Sequence, residues 1–114
     1  MNTLNEVFKD SNFAVTVCDL DCNVIYMNEK AGQVFQKYGG LGLIGKSLLD
    51  CHLPSSCDKI RLLLETGSSN TYTIEKAGIK KIIHQTPWLK DGKIAGLIEL
   101  SLELPTEMPN FIRS

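Results

Sequence analysis

The sequence predicts an α+β domain built on a five-stranded antiparallel sheet. Two observations carry that reading. β-type runs fall into two groups, a pair near the N-terminus and three toward the C-terminus, with turn residues between neighbours. Between the groups lie three stretches with helical character. Strands and helices are therefore segregated along the chain instead of alternating, which is the α+β pattern.

The elements follow in order. Thr3-Leu4-Asn5-Glu6 fits a capping box, and Leu4, Val7 and Phe8 share one face of a helix over about residues 4–10. That stripe has to cover either the domain's own sheet or a second subunit. FAVTVC (13–18) and NVIYM (23–27) read as strands joined through DLDC, a hairpin. Asn28 is placed to cap the next helix, whose face is Ala31, Val34, Phe35 and Tyr38, ended by Gly39-Gly40 and Gly42. Residues 45–52 read as one or two helical turns. Pro54 opens a longer helix with Ile60, Leu63 and Leu64 on one face and Gly67 as its C′ residue. Strands 70–76 and 79–89 are joined by Ala77-Gly78, and Lys90-Asp91-Gly92 turns the chain into the last strand, 93–104. There Ile94, Ile98, Leu100, Leu102 and Leu104 alternate with Glu99, Ser101 and Glu103. A solvated face is the expectation for Glu99 and Glu103.

The 114 residues are read as one domain, with a core over about 13–104 and a short tail, 105–114, and no attached effector. Composition is ordinary, 43% hydrophobic and 22% charged. A net charge of −1 leaves no basic excess for nucleic acid. No apolar run approaches the ~20 residues of a membrane span, and the N-terminus lacks a signal-peptide core, so a cytoplasmic protein is expected. Four cysteines are then expected as free thiols.

DLDCNVIYMNEKAG (19–32) resembles the D-x-D-G-x-I-x-Y-x-N-x-x-A motif of the PAS family, with Asp19, Asp21, Ile25, Tyr26, Asn28 and Ala31 in register. LIGKSLLD resembles the segment before that family's long helix, and KDGKIAGLIELSLEL its closing hairpin and strand. The resemblance covers roughly residues 3–104 and implies a PAS-like sheet with short helices on one face, leaving room for an internal cavity. Cys22 departs from the motif by replacing the hairpin glycine, and a different turn geometry is expected there.

The resemblance also frames the candidate chemistries. Covalent flavin photochemistry of the LOV type needs a cysteine three residues after the glycine, and Leu48 stands there. Haem-binding members place a histidine on the long helix, which has none here; His52 and Cys57 are the nearest alternatives. Cys51, His52 and Cys57 are weighed as a metal or thiol-redox set, but the spacing is not that of a structural zinc site. Cys57 near a helix N-terminus is open to a lowered pKa. CHLP (51–54) is similar to a Cys-His-Pro-Pro segment of some PAS subfamilies. Trp88, on one strand face with His84, is read as walling a pocket or covering a dimer contact. For His84 a paired strand residue is the plainer reading. No catalytic Ser-His-Asp set or paired carboxylates stand out.

The expectation is a non-enzymatic sensory or signalling domain. It would bind an unidentified small molecule in an internal cavity, form a homodimer, or both, and pass its signal to a separate protein. Tentative site residues are Cys51, His52, Cys57 and Trp88, with no metal and no assigned cofactor. The alternatives are a ligand-free interaction module with a filled core, and a small thiol-redox or metal-binding protein using Cys51, His52 and Cys57.

Overall fold

The computed structural model describes residues 3–48 and 54–114. The elements are α1 (Thr3–Phe8), β1 (Ala14–Asp19), β2 (Val24–Met27), α2 (Glu29–Val34), two 3-10 turns (Gln36–Tyr38 and Gly40–Leu43), α3 (Pro54–Thr66), β3 (Asn70–Lys76), β4 (Ile79–Lys90) and β5 (Lys93–Glu103). The strands form one antiparallel sheet in the order β2-β1-β5-β4-β3. The N-terminal hairpin thus joins the C-terminal meander through β1 and β5.

Local chemistry explains the joints. Asp91 and Gly92 both have positive φ (52° and 78°), as do Ala77 and Gly78 (53° and 79°). Both hairpins therefore close with paired left-handed residues, matching the twist of the strands they connect. Gly67 (φ 72°) donates its N–H to Leu63 O at 2.9 Å and ends α3 as expected. Asn28 is 2% exposed and uses its whole amide. Its Oδ1 accepts from Val15 N and Ala31 N (both 3.0 Å), and its Nδ2 donates to Phe8 O (2.8 Å) and Phe13 O (2.9 Å). One side chain caps α2 and fastens it to the end of α1 and the start of β1.

Two expectations need correction here. Cys22 does not change the turn; it adopts φ 64°, in the left-handed region itself. The turn is held by Asp19 Oδ1, which accepts from Asp21 N (2.9 Å) and Asn23 N (3.0 Å), while the Cys22 side chain is buried. Burial offsets a backbone cost of about 1–2 kcal/mol. Residues 45–47 are turn, bend and bridge instead of helix, while Leu48 is already in a 3-10 conformation. Val24 N bonds Lys46 O, Gly45 N bonds Val24 O and Leu48 N bonds Cys22 O, so this segment runs along β2 and covers the sheet edge. Residues 49–52 of that expected turn lie outside the described residues.

The core lies between α2, the second 3-10 turn and α3 on one side and β1, β2 and β5 on the other. Cys18, Val24, Ala31, Ile60, Leu63 and Leu97 form its centre. α1 lies by the opposite face, where Leu4, Phe8, Val15, Val17 and Ile98 border one groove. Gly96 is required in β5: a Cβ there would overlap the Cys18 carbonyl, which accepts the Trp88 indole N–H at 3.0 Å.

Candidate functional site: a cavity under α2

Helical cover is thinner over β3 and β4 than over β1 and β2, and a cavity of about 170 Å³ opens there. It is bordered by Val34 and Phe35 from the end of α2 and by residues of β1, β3, β4 and β5. Strand register explains its floor. Thr16 pairs with Glu99, Ala14 with Ser101, Ile83 with Ser101 and Gln85 with Glu99, so these side chains share the helix-covered face.

That face inverts the expected polarity of β5. Glu99 and Ser101 are buried under the helices, each 9% exposed, while Ile98, Leu100 and Leu102 point to the opposite side. The solvated face expected for Glu99 is therefore wrong. For Glu103 it holds, with a 3.6 Å ion pair to Lys30 of α2. Apolar-in, polar-out alternation presumes a filled core, whereas a cavity that holds water or a polar guest can carry polar groups on the inner side.

Glu99, in the floor, ends a directed hydrogen-bond chain. Asn70 Nδ2 donates to Gln85 Oε1 (3.1 Å), and Gln85 Nε2 donates to Glu99 Oε1 (2.8 Å). Gln85 is 4% exposed, and this chain fixes its amide with nitrogen toward Glu99. Glu99 keeps its second oxygen, which has no hydrogen-bond partner among the described residues. The buried hydroxyls of Thr16 and Ser101 likewise bond no described residue. These atoms face the cavity and are reached by water there, so a polar guest could bond them in its place. Tyr72 closes one side, and its phenol is pushed up by burial and then by the Glu99 charge. Lys81 stands at the border, half-buried, with no carboxylate in ion-pair distance among the described residues.

The residues singled out from sequence lie elsewhere. Cys51 and His52 are outside the described residues. Cys57 is half-buried in the first part of α3. Trp88 projects from the face opposite the helices and bonds Cys18 O, so it does not border this cavity, and nothing brings it together with Cys57. His84 has the expected strand partner, with Nδ1 2.7 Å from Thr71 Oγ1. The buried thiols are Cys18, pushed up to about 12 chiefly by burial, and Cys22, also raised by burial. Neither is a thiolate at neutral pH. Glu99, Gln85, Thr16, Ser101, Tyr72 and Lys81 were missed as site residues. The available signal was Gln85 standing two residues from Ile83 on one strand face, opposite a glutamate.

Comparisons with known proteins agree on the fold. No protein-family model matches the sequence, and no curated protein does. Among solved structures, the chain is similar to a C-terminal domain from Streptococcus mutans (TM-score 0.70, 19% identity, 88% of this chain and 81% of that one). It is also similar to Vibrio cholerae VqmA in a ligand–DNA complex (TM-score 0.68, 25% identity, 91% of this chain). There it spans about half of the matched protein, 52%. A third likeness is the PAS domain of the histidine kinase ThkA (TM-score 0.64, 18% identity, 81% of this chain and 99% of that domain). The chain has a PAS-like fold.

Proposed function

We propose that the protein is a non-enzymatic sensory domain that holds a small molecule in the cavity under α2. The observation that carries this reading is the lining: Glu99, Thr16 and Ser101 are buried, yet offer polar atoms that no described residue satisfies. Such atoms are open to a guest with hydrogen-bonding groups in place of water. Occupancy would bias α2, because Val34 and Phe35 border the cavity and Lys30 ties the same helix to β5. The VqmA complex supports the reading as a similar fold found with a ligand. Denaturing mass spectrometry of freshly purified protein tests it. A stoichiometric small molecule is expected, and an empty cavity that no compound in a broad metabolite set stabilises would refute it. An absorbance spectrum of the same sample separates haem or flavin from a colourless guest.

Homodimerisation belongs to the same proposal. Leu4 and Val7 are 65% and 59% exposed on α1, beside Ile25 and the half-buried Ile98, and the Tyr26 hydroxyl is buried nearby without a partner among the described residues. A second copy covering this face would remove that apolar surface from water. Removing residues 1–10 and measuring mass in solution is the test, with a monomer expected. The signal would pass to a separate cytoplasmic protein. Nucleic acid is left out of the proposal, since a net charge of −1 offers no excess for phosphates. Among the described residues no helix is long and apolar enough to cross a membrane.

A further inference from the structure

The cavity is chemically asymmetric, and its asymmetry points to a class of guest. At the floor stands Glu99, nine-tenths buried, one oxygen held by Gln85 and the other without a described partner. Gln85 cannot turn to donate elsewhere, because Asn70 holds its carbonyl. A carboxylate accepts and does not donate, so the floor asks for an N–H donor and strengthens the bond when that donor is cationic. At the border stands Lys81, which donates and does not accept. Lys81 lies opposite Glu103 and Glu99 lies opposite Gln85, so four strand residues, about 13 Å along the sheet, separate the two charges before their side chains lean inward. Glu103 faces Lys81 across the strands but is engaged by Lys30. The walls between are Val34, Phe35, Ile74 and Ile83. A volume of about 170 Å³ has the room of about six waters, enough for a short chain or one small ring.

We propose that the cavity selects a compact amphoteric molecule, with an amine or protonated ring nitrogen on Glu99 and a carboxylate or other anionic acceptor toward Lys81. This rests on the cavity-binding reading above. It goes further by fixing which end of the guest lies at the floor and which charge it carries.

Isothermal titration with 4-aminobutyrate, n-butylamine and butyrate tests it, on wild-type protein and on the E99Q and K81M variants. E99Q retains an acceptor for Gln85, so its fold and circular dichroism should be unchanged. The expected order is 4-aminobutyrate tightest, n-butylamine weaker by a factor of ten or less, and butyrate weakest. E99Q should weaken 4-aminobutyrate at least tenfold, and K81M should bring it to the level of n-butylamine. Butyrate binding as well as 4-aminobutyrate, or affinity indifferent to E99Q, would overturn the proposed polarity while leaving a ligand-binding cavity intact. No binding of any of the three, alongside a neutral guest recovered by mass spectrometry, would also overturn it. No guest at all would instead remove the underlying reading.

Discussion

Replacing Asn28 with alanine should destabilise the protein by about 3–6 kcal/mol, and the figure follows from four hydrogen bonds. The two N–H groups that Oδ1 serves, Val15 and Ala31, sit in buried bonds at 3.0 Å. Each would be orphaned, at about 1–3 kcal/mol apiece. The carbonyls of Phe8 and Phe13 are only partly buried and can recruit water, so they add less. Stability of a 114-residue domain is roughly 6–17 kcal/mol, so the loss is a large fraction of the total. Urea titration monitored by the fluorescence of Trp88, the single tryptophan, reads it directly, since unfolding breaks the bond from its indole to Cys18 O. The midpoint should fall steeply with an unchanged slope, and the melting temperature should drop by more than about 10 °C. A cost below about 1 kcal/mol would show that α1, β1 and α2 are fastened by something other than this amide.

Further outcomes are expected. Ala77→Asn should stabilise by about 0.5–1 kcal/mol in thermal unfolding, because Ala77 holds φ 53° where asparagine is better suited. Gly96→Ala should abolish or severely weaken folding, seen as lost soluble expression or a collapsed urea midpoint, since the new methyl meets the Cys18 carbonyl; Trp88→Phe, which removes only the indole donor, should cost about 1 kcal/mol. Cys18 should resist alkylation in native protein at pH 8 and react only on unfolding. Its folded-state value of about 12 lies above an ordinary thiol near 9, so the unfolded chain sheds that proton first and stability is lost as pH rises between the two. The urea midpoint of wild type should therefore decline more steeply above pH 9 than that of Cys18→Ala.

The fold was largely legible in the sequence because its joints are made by residues with few alternatives. Asn28 before Glu29-Lys30-Ala31, Ala77-Gly78 and Asp91-Gly92 each sit where the structure uses them. Residues 45–47 depart from the expected helical turn because backbone bonds to Val24 hold them along β2, which no local pattern reveals. The site was hardly legible. Sequence reading favoured Cys51, His52, Cys57 and Trp88 for their reactive or conspicuous side chains. The cavity instead employs a glutamine, a glutamate and two hydroxyls, ordinary residues whose meaning depends on facing inward. Only the register of β1, β4 and β5 places Thr16, Gln85 and Glu99 in one row, and register between distant strands is not written in either strand alone.

The most direct measurement is a two-dimensional nitrogen–proton NMR spectrum of labelled protein titrated with 4-aminobutyrate. The side-chain NH2 of Gln85 donates to Glu99, so a guest on Glu99 should move that resonance together with the backbone signals of Phe35 and Ser101. Shifts confined to α1 and the Leu100–Leu102 face, with Gln85 unmoved, would show that the inner polar row is not where this protein meets its ligand.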